Sequence, residues 1–135
     1  MNVETKPTPS AKPWIALGAV CSGLSVMLGA LGAHALNDRL MEKKLATFHT
    51  ATDYLGYHGL ALILVGLLMT MSGNAAYRKV GIWFAAGILL FSGSLYILAF
   101  DGPRFFGPVT PLGGLSFMIG WFTLAYTAAR KPSGG

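Results

Sequence analysis

WIALGAVCSGLSVMLGALGA, residues 14–33, runs for twenty positions without a charged side chain. Twenty apolar residues in a helix reach about 30 Å, the thickness of the hydrocarbon layer of a bilayer. The same reading applies outward along the chain. Residues 80–100, VGIWFAAGILLFSGSLYILAF, are also uncharged, residues 112–129 run LGGLSFMIGWFTLAYTAA, and residues 54–77 contain no ionisable group of charge-bearing strength apart from His58. Four such stretches take up most of a 135-residue chain that is 53% hydrophobic and only 11% charged, whereas soluble domains carry about one quarter charged residues. The expectation is an all-α membrane protein, a four-transmembrane-helix bundle.

The first stretch has two rival readings. Lys6 and Lys12 before an apolar run, with Ala33-His34-Ala35 after it, imitate a signal peptide, but the run exceeds the usual signal core and three further spans follow. Leu17 to Cys21 imitates a lipoprotein cleavage box, yet Val20 is branched where a small residue is required. A retained helix is the better reading. Cys21 is the only cysteine, so no intramolecular disulfide or cysteine metal cluster can form.

Polar segments frame the spans. Residues 1–13, MNVETKPTPSAKP, read as a flexible tail, residues 14–129 as the membrane domain, and residues 130–135 as a second tail. With four spans, the two tails and the 72–79 connection share one side, which bears Lys6, Lys12, Arg78, Lys79, Arg130 and Lys131. The opposite side bears four bases, Arg39, Lys43, Lys44 and Arg104, mixed with acids. Lys and Arg accumulate on the cytoplasmic side, so both termini are expected to be cytoplasmic in a cell inner (plasma) membrane. The net charge of +5 is scattered over short connections and forms no arginine stripe, which argues against nucleic acid.

The longest connection continues into the second span. Met41, Leu45, Phe48 and Leu55 recur at helical spacing, while Glu42, His49 and Asp53 share another face. This is an amphipathic extension before the second helix, and one continuous helix from about 40 to 71 is compatible with it. Ser72-Gly73-Asn74 supplies a stop.

Small residues recur along the spans. Gly18, Ser22, Ser25, Gly29 and Gly32 step by threes and fours along the first, and Gly113, Ser116 and Gly120 along the fourth. In lipid no hydrophobic force drives helices together, so close approach at small residues supplies packing. These positions are expected to make helix contacts in a tight bundle without a wide pore.

Four ionisable residues form a candidate polar site. His34 ends the first span, His58 lies inside the second, and Asp101 and Arg104 occupy the loop after the third. Ionisable groups within spans are functional candidates because retaining them there is costly. At one shared depth toward the outer leaflet, Asp101 would pair with Arg104 or a histidine. Thr110 before Pro111 reads as a helix N-cap, leaving free amides at residues 112–114 that could meet an anion. No catalytic motif, metal-ligand spacing or cofactor fingerprint is present, so no catalytic residue, cofactor or metal is assigned.

Gly29-Ala-Leu-Gly-Ala-His34-Ala-Leu36, Leu45-Ala-Thr-Phe-His-Thr-Ala51 with Tyr57-His58, Phe91-Ser-Gly-Ser-Leu-Tyr96 and Gly107-Pro-Val-Thr-Pro-Leu-Gly-Gly114 together resemble the small bacterial membrane family typified by YgdD, which includes the vertebrate transmembrane protein 256. The resemblance covers about residues 14–129. It implies four spans and a domain of unknown function, and it transfers no catalytic residue. The expected function is therefore a packing or accessory subunit of a membrane complex. The alternative is a binder of a small apolar or anionic molecule, such as a quinone or a lipid headgroup, at the outer end. The expected partners are the lipid bilayer, and other membrane proteins or further copies of the chain.

Overall fold

The computed structural model describes residues 10–131 and contains four helices long and apolar enough to cross a membrane. The first helix is Lys12–His34 and the second Glu42–Ser72. The third runs Tyr77–Ala99, and the fourth Val109–Ala129 follows a short 3-10 turn at Arg104–Phe106. The protein is thus an all-α, multi-pass membrane protein. Of the tails expected at residues 1–13 and 130–135, residues 1–9 and 132–135 lie outside the described residues, and Lys12 and Pro13 open the first helix.

Local chemistry explains the ends. Pro13 sits in the first turn of the first helix, where its missing N–H costs nothing. The second helix ends where Gly73 turns left-handed at φ 64°, its amide returning to the carbonyl of Met69. The amphipathic extension is continuous with the second helix, which reaches 31 residues. Thr110 is not the cap of the fourth helix. That helix begins at Val109 after Pro108, and the Thr110 hydroxyl is instead engaged with Ser94 on the third helix.

The third helix contains one π turn, Ile88–Ser92. Buried positions step by four and three from Val80 to Phe84 and Gly87, then by five to Ser92. The wider turn resets the helical phase, so Ser92 points inward although a strict α period would rotate it away.

The second and third helices form the centre, and the fourth closes on the third. Leu62 and Val65 meet Val80 and Phe84, all fully buried, with Met69, Tyr77 and Phe117 around them. The first helix packs along the second and covers the third only near its start, where Trp14 lies over Gly81. Its remaining face, including Val20, Val26 and Met27, is exposed, as suits a lipid-facing surface.

Candidate functional site

The antiparallel first and second helices approach closely enough to fix their register. A Cβ on Gly18 would stand 2.8 Å from the amide nitrogen of Ile63, and one on Gly59 would stand 2.9 Å from that of Ser22. Gly56 faces Ser25, and Gly32 lies beneath the rings of Phe48 and His49. Ser25 donates to the carbonyl of Ser22 at 2.9 Å. Gly29 differs: a Cβ there would meet only Thr52, at 3.9 Å. On the fourth helix Gly113 lies against the Phe91 backbone, Gly120 beneath Phe84, and Ser116 donates to the carbonyl of Trp83 at 2.7 Å.

This register places His34 at the level of residue 47, about eleven residues or ~17 Å along the second helix from His58. Half the hydrocarbon thickness is about 15 Å. His58 is therefore central in the bundle and His34 is at its end. The shared depth expected for these two residues is not found. The reason is the length of the second helix, which continues well past the apolar run toward Glu42.

His58 is 4% exposed and both its ring nitrogens are engaged. Nδ1 lies 2.9 Å from the carbonyl of Tyr54, and the indole Nε1–H of Trp121 donates to Nε2 at 3.0 Å. A carbonyl can only accept and an indole N–H can only donate, so the pair defines the neutral Nδ1–H tautomer. Phe117 stacks on the ring with centroids 3.5 Å apart, and Phe84 meets it edge-on. His58 ties the second helix to the fourth and has no nitrogen left for a ligand.

Three further hydrogen bonds join helices through buried or half-buried hydroxyls. Ser92 donates to the carbonyl of Ala51 at 2.8 Å. Thr52 donates to the carbonyl of Phe48 and accepts from the Tyr96 hydroxyl at 2.8 Å. Ser94 and Thr110 form the last of them.

The other polar candidates sit at the His34 end and do not join His58. Asp101 is exposed, holds a left-handed backbone at φ 60°, and pairs with Lys44 at the start of the second helix. Its partner is thus Lys44, not Arg104 or a histidine, because the second helix extends far enough to bring Lys44 alongside. Arg104 and His34 are exposed and have no side-chain hydrogen bond or ion pair among the described residues. No three His, Cys, Asp or Glu side chains converge among the described residues to share a metal.

Sequence reasoning missed Trp121 and Tyr54, because nothing in a sequence marks which aromatic faces a buried histidine. It set Asp53 on the polar face of the extension beside His49, one turn away, a pair that does not form among the described residues. That acid stands on the lip of a cleft of about 380 Å³ between the first and second helices, beside Ser22, Ser25 and Tyr57.

These features define a small multi-pass membrane protein in which His58, Ser92, Thr52, Ser94 and Ser116 hold helices together. The chain belongs to the UPF0382 membrane protein family. The family model described as a protein of unknown function, DUF423, matches residues 28–114. The chain is 42% identical to the membrane protein YwdK of Bacillus subtilis, over 88% of this chain and 98% of that one. It is 44% identical to a membrane protein of Staphylococcus haemolyticus, over 84% and 92% of the two chains. It is 36% identical to the inner membrane protein YgdD of Escherichia coli, over 87% and 89%. No solved structure matches.

Proposed function

We propose that the protein acts by helix packing, as a small accessory subunit that stabilises a larger complex in a cell inner membrane. The observation that carries this reading is the commitment of His58. The most deeply placed ionisable group of the bundle serves as a strut between two helices, with neighbouring serines and threonines joining the others. A protein built for internal rigidity, with broad apolar faces left outward, fits the role of a fixed element to which other helices attach. A carrier of small molecules at the His34 end would need converging polar groups, and His34, Arg104 and Asp101 do not supply them around His58.

Both termini are cytoplasmic in this proposal, with residues 36–53 and 101–111 on the other side. The basic residues Lys12, Arg78, Lys79, Arg130 and Lys131 at one end support it. Single cysteines at Asn37 and Gly107, in a Cys21→Ser background, should react with an impermeant maleimide on intact cells, and one at Asn74 should not. The reverse pattern would overturn the orientation. The accessory role is tested with a photoreactive residue placed in turn at Val26, Leu89 and Phe122, all exposed to lipid. A discrete protein adduct at fixed stoichiometry is expected from at least one face. Adducts to lipid alone at all three would overturn it.

A further inference from the structure

We infer that the seam between the first and second helices at Asp53 is the docking site for a transmembrane helix of another protein, one that carries a lysine or arginine in that half of the membrane. The inference rests on the accessory role proposed above and names where and by what chemistry the contact is made.

The first observation is an acid at the wrong depth. Thr52 faces Gly29 and Gly56 faces Ser25, which sets Asp53 opposite Leu28 and about six residues, or ~9 Å, inward from the level of His34. A carboxylate inside a span ordinarily faces the bundle or has a partner. Asp53 is exposed, and among the described residues it makes neither a hydrogen bond nor an ion pair. The second observation is the cleft beside it. Its floor is made of small residues from both helices, Ser25, Gly29 and Gly56, and its rim of Val26, Tyr57 and Leu60, all exposed. Ser22, at the inner end of the same cleft, holds the one buried side-chain oxygen without a hydrogen-bond partner among the described residues. Small residues let a helix backbone approach closely, and polar groups at such a seam fix the partner.

Charge selects the occupant. A second copy of this chain brings no described lysine or arginine to the level of Asp53, because these all lie at helix ends or in connections. A lipid ammonium stays in the headgroup layer, about 9 Å further out by the same register. A basic side chain on a neighbouring helix can stand at the required depth.

The test uses a poly-leucine transmembrane helix bearing one lysine a third of the way in, with an all-leucine helix as control. Binding to the full-length protein is read by energy transfer in phosphatidylcholine vesicles. The lysine helix should bind about tenfold more tightly than the control, the weight of one good polar contact between helices. That advantage should vanish in Asp53→Asn and survive in Asp101→Asn, whose carboxylate lies at the loop. Equal binding of the two helices, or an advantage that survives Asp53→Asn, would overturn the inference. So would its loss in vesicles rich in phosphatidylethanolamine, which would make the occupant a lipid ammonium. Self-association of the labelled protein that Asp53→Asn abolishes would make the occupant a second copy and overturn it likewise. Photo-adducts confined to Leu89 or Phe122 would retain the accessory role and reject this seam, so the two failures remain distinguishable.

Discussion

Gly113 and Gly114 are adjacent in the fourth helix and offer a controlled measurement of how close the helices stand. A Cβ on Gly113 would come within 2.7 Å of the Cα of Phe91, on the π turn of the third helix, while one on Gly114 would lie 3.8 Å from the edge of the Phe91 ring. The first approach is to backbone, which can yield only by moving a helix. The second is an ordinary contact. Alanine favours a helix over glycine by about 0.5–1 kcal/mol at either position. Gly114→Ala should therefore stabilise the protein by about that amount. Gly113→Ala gains the same term but incurs an overpacking cost of about 1–3 kcal/mol, for a net change between about zero and a loss of about 2.5 kcal/mol. Unfolding in mixed micelles by titration with dodecyl sulfate, followed by tryptophan fluorescence, measures both. The comparison cancels helix propensity, so the gap reports packing alone. Agreement of the two variants within about 0.5 kcal/mol would refute the close approach of the fourth helix to the π turn.

Three further outcomes follow from the interhelical hydrogen bonds and the loop. His58→Leu should cost about 1–3 kcal/mol by leaving the Trp121 indole N–H unsatisfied. The double variant with Trp121→Phe should cost less than the sum of the singles, and strict additivity in the same unfolding assay would refute the bond. Ser92→Ala should cost about 0.5–1 kcal/mol, the typical weight of a hydrogen bond between membrane helices, and a neutral result would place Ser92 elsewhere. Asp101→Asn should shift stability by no more than about 0.5 kcal/mol, since its pair with Lys44 is solvated and asparagine tolerates the left-handed backbone. A larger loss would show that this ion pair anchors the loop.

Much of the fold was legible because the bilayer constrains it strongly. Uninterrupted apolar runs mark the four spans, and the turn residues after Ser72 mark the stop that Gly73 makes. The π turn was not legible. The signal for it is a five-residue step between buried positions, and burial is unknown before the helices pack. Spacing also treats Gly18 and Gly29 alike, as members of one small-residue row. The structure separates them, since the row follows the helix while the contact follows the crossing of two helices. Gly18 lies against the backbone of the second helix, whereas Gly29 lines an open cleft.

Polar groups were harder to place because their depth is set by neighbours. Hydropathy starts the second span at residue 54, which puts His58 near its end and Asp53 outside the membrane. The first helix decides otherwise. Its last residue, His34, stands level with residue 47 in the packed register, so the two helices run side by side well beyond residue 54 of the second. His58 thereby moves to the centre, where a lone polar ring needs partners and finds Tyr54 and Trp121. Asp53 falls within the same packed length but finds none among the described residues. The two residues share a helix and differ in the face they occupy: one points to the fourth helix, the other to a cleft that opens on lipid. An apolar window measures where a chain tolerates hydrocarbon. Only the packed neighbour shows how far the bundle extends, and within that length Asp53 is the one acid, with no hydrogen bond or ion pair among the described residues.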